Sequence, residues 1–386
     1  MADNKDKKVL NVPALRFPEF SGEWHKHSLG EIGETIIGLT YKPSDVVADN
    51  GIIVLRSSNI KNGVIDYSDL VRVNKHVKDR IITKENDILV CSRNGSQRLI
   101  GKNAIIKRED INNTFGAFMM VYRSNDNPFI LPLLSTRRYI SQVGENLGAR
   151  INQITTSDFN GFEFYFPENH VERAKIAELF RLLDERIATQ NKIIEDLRLL
   201  RDAISVCLLS PKSDWKCYKV SEIADIGRGR VISSKEIANQ NNPQYPVYSS
   251  QTSNEGIMGY LDNYAFDGEY ITWTTDGANA GTVFYRNGRF NCTNVCGTLK
   301  LHYQFDAYYC SLVLANATKK YVSVNLANPK LMNNTMAAIK LYLPPFQEQK
   351  RMAQLFRKMD ENITLEHKLL LSYQKQKHYL LQQMFI

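Results

Sequence analysis

Two copies of one pattern constrain this chain more than any other feature it carries. The stretch from Glu172 to Ser210 contains ERAKIAELFRLLDERI, and the stretch from Glu348 to Ile386 contains EQKRMAQLFRKMDENI. At a constant offset of 176 residues, Ala177 falls on Ala353 and Leu179-Phe180-Arg181 on Leu355-Phe356-Arg357. Asp184-Glu185 likewise falls on Asp360-Glu361, and Ile187 on Ile363. Both copies read as heptads. The first places Ile176, Phe180, Leu183, Ile187, Ile194, Leu197, Ile204 and Leu208 at alternating steps of three and four, with Gln190 and Arg201 as polar breaks. The second has Met352, Phe356, Met359, Ile363, Leu370, Tyr373, Leu380 and Met384, broken at the same places by Glu366 and Lys377. An apolar repeat of about 3.5 residues marks a long helix that buries a narrow seam against another helix. Each copy runs 39 residues, which at about 1.5 Å per residue makes a rod roughly 58 Å long. One such stretch alone would read as an amphipathic helix lying on a core. Two in-register copies favour a coiled coil between them, with Phe180, Leu183, Ile187, Ile194 and Leu197 facing Phe356, Met359, Ile363, Leu370 and Tyr373.

A second repeat precedes each helix. The segment 22–33 (GEWHKHSLGEIG) is echoed by 213–224 (SDWKCYKVSEIA), so that Trp24 falls on Trp215, Glu31 on Glu222 and Ile32 on Ile223. The chain therefore reads as a globular unit over 1–167, a helix over 168–212, a second unit over 213–345 and a second helix over 346–386. Duplication in a fixed order is the main architectural fact, and 386 residues suit two or three domains. Within the first unit, the β-branched runs Ile52–Leu55, Asp87–Val90, Ala104–Ile106 and Met119–Tyr122 read as strands between Gly/Asn turns. Phe162–Phe166 closes that unit as a strand ahead of Pro167, and Ile339–Leu343 closes the second ahead of Pro344-Pro345. The interiors of the two units barely resemble one another. Domain termini usually lie close together, so a helix launched from the end of the second unit should run back along the first. The expected fold is α+β: two globular recognition units separated by two long antiparallel helices in a coiled coil, with pseudo-two-fold symmetry.

Composition excludes several classes. No run of about 20 apolar residues is present, so no membrane span is expected. The opening MADNKDKKVLNVPALRF is charged without an apolar signal core, which points to a cytoplasmic protein. Six cysteines, at 91, 207, 217, 292, 296 and 310, show no disulfide-framework spacing and read as buried free thiols. Cys292-x-x-x-Cys296 lacks the second pair or the close histidine that a metal site needs.

Readings as an enzyme mostly fail. Gly95 to Lys102 resembles a phosphate loop, but five residues separate the glycines and Asn103 stands where a Ser or Thr should hold magnesium. There is no Asn-Pro-Pro-aromatic tetrapeptide of the kind amino-methyltransferases use, the seven histidines do not cluster, and no Ser/His/Asp set follows from spacing. Nucleic-acid binding is better supported. The net charge of +8 suits an anionic partner. Arg93, Asn94, Ser96, Gln97, Arg98 and Lys102 crowd one turn-rich loop. Arg, Asn and Gln can pair bidentately with guanine or adenine edges, and Lys and Ser suit phosphates. The matching place in the second unit is the glycine-punctuated loop Thr274 to Gly281, with Thr274, Thr275 and Asn279 as candidates. Arg228, Arg230, Ser250 and Gln251 add basic and polar side chains nearby. Each loop alone could equally be a solvated turn; as a pair they gain weight.

These features together resemble a specificity subunit of a type I restriction-modification system. The resemblance is carried by Val12 to Pro18 followed by Trp24 and Leu29-Gly-Glu-Ile32, by Trp215, Val220, Glu222 and Ile223, and by Pro344-Pro345-x-x-Glu348-Gln349. The repeated Ala-x-Leu-Phe-x-x-x-Asp-Glu and the terminal Leu380-Leu-Gln-Gln-Met-Phe385 complete it. In the first copy Pro167-Glu-Asn-His-Val-Glu172 replaces the family's Pro-Pro-x-x-Glu-Gln, and Cys207-Leu-Leu-Ser210 replaces its Gln-Gln-Met-Phe. The resemblance implies two target-recognition domains, each reading half of a split double-stranded DNA sequence, and a helical spacer that fixes the unread gap. It also implies two methyltransferase subunits that bind S-adenosylmethionine and methylate adenine at N6, and two restriction subunits that use ATP and Mg²⁺. This chain would bind none of these cofactors and carry out no catalysis. The alternatives are a stand-alone DNA methyltransferase or nuclease, and a coiled-coil adaptor without a DNA role.

Overall fold

The computed structural model describes residues 10–149, 152–323 and 328–386. Positions 1–9, which begin the charged segment read above as lacking an export signal, lie outside the described residues. The chain forms two compact units, Met1–Lys192 with Lys368–Ile386, and Ile193–His367. Both long helices are present, as His170–Leu208 and Phe346–Gln383. The division falls inside each of them, so every unit contains part of both.

The heptad positions are the covered ones. Phe180, Leu183, Ile194 and Phe356 are buried, and Ile187, Leu197, Met359, Ile363, Leu370 and Tyr373 are half-buried. In the first unit Phe180 packs on Phe385 with ring centroids 5.5 Å apart, Arg186 lies over the Tyr373 ring at 5.5 Å, and Asp184 pairs with Lys377. Numbers rise along one helix as they fall along the other, so the segments run antiparallel. The second unit shows the same direction: Arg201 pairs with Asp360, and Arg198 meets His367 at 2.7 Å.

Each unit opens and closes with one strand pair. His25–Ser28 runs antiparallel to Glu163–Phe166, with His25 opposite Phe166. In the second unit Lys216–Lys219 runs antiparallel to Lys340–Leu343, with Lys216 opposite Leu343. A single helical turn follows each opening strand, Leu29–Ile32 or Val220–Ile223. The repeated tryptophans Trp24 and Trp215 are buried beside these pairs, in the cores of their own units.

The interiors, so unlike in sequence, share a topology. The central sheet of the first unit has the order Glu34–Ile37, Met119–Arg123, Ile88–Cys91, Asn103–Ile105. That of the second has the order Ala224–Arg228, Cys296–Leu301, Tyr270–Thr274, Val283–Arg286. Numbered within each sheet by chain order, both read first, fourth, second, third, and every pairing is antiparallel. A side layer repeats as well. Thr114–Phe115 lies parallel to Ile52–Leu55, and Asn291–Cys292 lies parallel to Tyr245–Tyr248. Strand pairing needs alternation and burial rather than particular residues, so the frame survives where the residues do not.

The expectation of buried thiols holds for Cys91, Cys292, Cys296 and Cys310 but fails for Cys207 and Cys217, which are exposed. Cys207 falls between the seam positions Ile204 and Leu208, off the covered face of its helix. Among the described residues no helix is long and apolar enough to cross a membrane. Burial pushes the thiols of Cys91 and Cys296 up to about 11 and raises Cys292 and Cys310 further, and the thiolate is the reactive form. Iodoacetamide at pH 8 should therefore modify two thiols per folded chain and six after denaturation, as counted by intact mass; rapid labelling of a third without unfolding would contradict the buried placement.

Candidate nucleic-acid interface

The two loops singled out in the sequence connect the second and third strands of their sheets, and they close in the same way. In the first unit Cys91 N–H donates to the Lys102 carbonyl at 2.8 Å and Gly101 N–H to the Cys91 carbonyl at 2.9 Å. In the second, Thr274 N–H donates to the Thr282 carbonyl at 3.0 Å and Gly281 N–H to the Thr274 carbonyl at 2.8 Å. Gly101 and Gly281 both take positive φ, +80° and +84°, where a side chain would be strained.

Two further segments brace each hairpin at matching positions. Asn94 N–H donates to the Asn152 carbonyl (3.3 Å) and Ile154 N–H to the Ser92 carbonyl (2.9 Å). Their counterparts are Gly277 N–H to the Pro329 carbonyl (3.0 Å) and Leu331 N–H to the Thr275 carbonyl (2.9 Å). From the fourth strand's approach, the Phe118 carbonyl accepts from Ser92 N–H at 3.0 Å, as the Val295 carbonyl accepts from Thr275 N–H at 2.9 Å. Residues 91–94 thus correspond to 274–277, 152–154 to 329–331, and Phe118 to Val295. On this frame the side chains differ: Arg93 bridges to Gln153 where Asp276 bridges to Lys330.

The candidate residues divide into framework and exposed groups. Thr274 and Thr275 are buried, at 1% and 0% exposure, which corrects their assignment as DNA contacts. Thr275 Oγ1 accepts from Arg228 Nη2 at 2.8 Å and so steadies that arginine from beneath. Asn94 is half-buried and ties the first hairpin together, donating to Ser57 Oγ at 2.9 Å and accepting from Ser96 N–H at 2.9 Å. Gln251 donates to the Ile257 carbonyl within its own loop, and Arg230 is paired with Glu236. Asn279 Nδ2 donates to the Ser250 carbonyl at 3.3 Å. Asn279 and Thr275 therefore bring the segments around Ser250 and Arg228 to the second hairpin. Arg93, Gln97, Arg98 and Arg228 are exposed, and Ser96, Lys102 and Ser250 are half-exposed. Gly101-Lys102 leads into the strand Asn103–Ile105, not into a helix, so a nucleotide-phosphate loop is not formed there.

Sequence reasoning missed Arg286. It is 6% exposed and lies against the rings of Tyr248 and Phe284, at 3.6 and 4.4 Å from their centroids. Its Nη2 donates to the Glu255 carbonyl at 2.6 Å. Glu255 and Asn254 hold positive φ, +52° and +49°, so this arginine pins a strained turn of the loop that carries Ser250. Nothing in its local sequence, Phe-Tyr-Arg-Asn-Gly, distinguishes it from a surface arginine.

Two units with one backbone frame and different exposed side chains, each joined to parts of two heptad helices, define a duplicated two-domain architecture. The chain matches the type I restriction modification DNA specificity domain over residues 21–199 and again over 212–372. It belongs to that family, as the specificity rather than a catalytic component. The type I restriction enzyme MpnII specificity subunit of Mycoplasma pneumoniae is 41% identical over 143 residues, 36% of this chain and 42% of that one. S.MpnORF289P of the same organism, named as the N-terminus of a candidate type I specificity subunit, is 46% identical over 140 residues, 36% of this chain and 74% of that one. This chain thus spans less than half of the MpnII subunit and about three quarters of S.MpnORF289P. Among solved structures, the S subunit of a type I restriction-modification system from M. genitalium superposes with a TM-score of 0.67 at 18% identity, covering 97% of this chain and 99% of that one. At that identity the likeness establishes the fold.

Burial separates the two kinds of arginine in an experiment. Arg286→Met should lower the stability of the second unit by about 2–4 kcal/mol, the worth of its ring contacts and a charge-assisted hydrogen bond. Arg93→Ala should change stability by less than about 0.5 kcal/mol, as expected for an exposed site. Urea unfolding of both variants checks this, and equal losses would contradict the division.

Proposed function

We propose that each unit reads one half of a gapped, two-part DNA target and that the chain thereby addresses adenine methylation and restriction carried out by partner subunits. The observation that carries this reading is the pair of hairpins, alike in backbone and different in exposed side chains. A reader of two unlike half-sites needs that combination. In the first unit the exposed Arg93, Gln97 and Arg98 carry the donor groups that suit purine edges, and Lys102 suits a phosphate. In the second, Arg228 and Ser250, held against the hairpin by Thr275 and Asn279, supply the exposed and half-exposed donor groups. The net charge of +8 supplies affinity for any duplex, and that part should weaken with salt as counterions are no longer released to advantage. The complete assembly contains two methyltransferase subunits that bind S-adenosylmethionine and two restriction subunits that use ATP and Mg²⁺. The helices set the number of unread base pairs.

A methylation map of DNA from cells expressing this chain with its methyltransferase partner tests the reading. A two-part motif with methyladenine on each strand is expected; no motif from a confirmed complex would overturn it. With the target known, Arg93→Ala and Arg98→Ala should weaken or relax recognition at the first unit's half-site alone, by about 1–3 kcal/mol for each lost bidentate contact. Equal loss at both half-sites, seen in competition binding with half-site mutants, would make these residues structural.

Removal of one heptad from both helices should change the gap in the methylated motif or abolish methylation. An unaltered gap would sink the spacer role.

A further inference from the structure

Of the 17 phenylalanines, Phe118 is the one in the exposed class, at 60% exposure. A flexible loop tip could leave an aromatic ring in water by default, but Phe118 is not held loosely. Its carbonyl accepts three hydrogen bonds from the first recognition hairpin: Ser92 N–H at 3.0 Å, Arg93 N–H at 3.1 Å and Ser92 Oγ at 2.9 Å. The preceding Ala117 N–H donates to the Leu39 carbonyl at 2.9 Å, and the following Met119 is buried opposite Cys91. The backbone is fixed on both sides while the ring projects outward. Its charged neighbour is the Arg93 guanidinium, 5.1 Å from the ring centroid.

We infer that Phe118 is a base-contacting residue of the first unit, and that Arg93 and Phe118 together read a guanine with an adjacent thymine in the major groove. The inference rests on the assignment of the 92–102 hairpin to DNA and deepens it. Stacking on a ring restrains the planar guanidinium, which favours bidentate donation to guanine O6 and N7. Thymine carries a C5 methyl in the same groove, and that methyl is the apolar feature a phenylalanine can cover. The surroundings favour DNA over a protein partner, because Arg93, Gln97 and Arg98 share the hairpin and are exposed with the ring. The second unit supports a specificity role at this position. Val295 replaces Phe118 and Asp276 replaces Arg93 on the same hydrogen-bonded frame. Frame positions are kept, and these two side chains change with the half-site to be read.

The test uses the full chain in complex with its methyltransferase partner and duplexes bearing the mapped target. Each thymine of the first half-site is replaced in turn by deoxyuridine, which removes the 5-methyl group alone. One replacement, beside a guanine, should weaken binding about fourfold, the worth of one buried methyl. Phe118→Ala should lose at least as much on the thymine duplex and become indifferent to that replacement, with the second half-site read as before and the melting temperature unchanged. Wild-type indifference to every replacement, or a half-site without thymine beside guanine, would overturn the inference. So would undiminished binding by Phe118→Ala. If Arg93→Ala and Arg98→Ala weaken DNA binding while Phe118→Ala does not, the hairpin assignment stands and this inference alone falls. If none of the three weakens it, the hairpin assignment falls as well. Loss of the methyltransferase partner from Phe118→Ala on gel filtration would mark the ring as a protein contact and overturn the inference too.

Discussion

The structure depends on how two cations are accommodated in an apolar seam. Arg201 and Lys377 occupy heptad positions where a leucine would pack, and each meets an aspartate of the other helix, Asp360 or Asp184. The four residues are two pairs of repeat mates: Arg201 corresponds to Lys377, and Asp184 to Asp360. A parallel pairing in the register of the repeat would set aspartate beside aspartate and cation beside cation. Antiparallel pairing sets each cation on an acid, once in each unit, with the helices exchanging roles. Apolar heptads specify that two helices pack, but say little about direction, and a polar group at a seam position is the usual device for specifying it. In the second unit the same aspartate also accepts from Tyr308, and Arg201 lies over the Phe356 ring at 5.7 Å. The helix pair is thereby tied to the recognition fold that rests on it. Arg357 adds to that tie by lying over Tyr308 and Tyr285, 4.3 and 4.7 Å from their centroids.

The hairpins illustrate how a fold can keep its frame and change what it presents. The bonds shared by the two hairpins are made by backbone groups, which do not depend on the side chain. Side chains at 93, 118 and 153 are then free of structural duty, and so are those at 276, 295 and 330. Asp276 even reverses the charge that Arg93 carries at the matching place, and it lies 3.8 Å from Lys330, which matches Gln153. Side chains with framework duty are buried instead, as Thr275 and Arg286 are.

Much of this was legible in the chain, and the limits of legibility are physical. Heptads and repeats are periodic signals spread over many residues, so both helices and the doubled order could be read without structure, and the antiparallel direction followed from the closeness of domain termini. The closing strands were legible as apolar runs ahead of proline, whereas the opening segments were legible as a repeat and not as strands. The shared topology of the interiors was not legible. Ile88-Leu-Val-Cys91 and Tyr270-Ile-Thr-Trp-Thr274 have little in common but near-continuous burial in a sheet, and many sequences satisfy that. The two loops were picked out as turns, but the burial of Thr274 and Thr275 was not legible, because a threonine at a strand end looks alike whether its hydroxyl faces water or Arg228. Phe118 was missed for the opposite reason. Phe115 to Tyr122 is almost wholly apolar, and nothing local marks position 118 as the residue that turns outward while Phe115, Met119 and Tyr122 turn in.

Two arginines beside aromatic rings show why contact type alone does not assign a role. Arg286 and Arg93 each lie over a ring, and a cation–π pair is favourable in both settings. Arg286 has rings on two sides, a carbonyl at 2.6 Å and almost no access to water. Its charge is desolvated and its N–H groups are satisfied by the Glu255 carbonyl and the Thr272 hydroxyl, so a shift that broke those bonds inside the fold would carry the cost of an unsatisfied buried charge. Arg93 has one ring and an open face. It keeps its hydration, loses little on moving, and can exchange water for a base edge without dismantling anything around it. Restrained by a ring yet still solvated, it has donor groups left open, whereas those of Arg286 are already engaged.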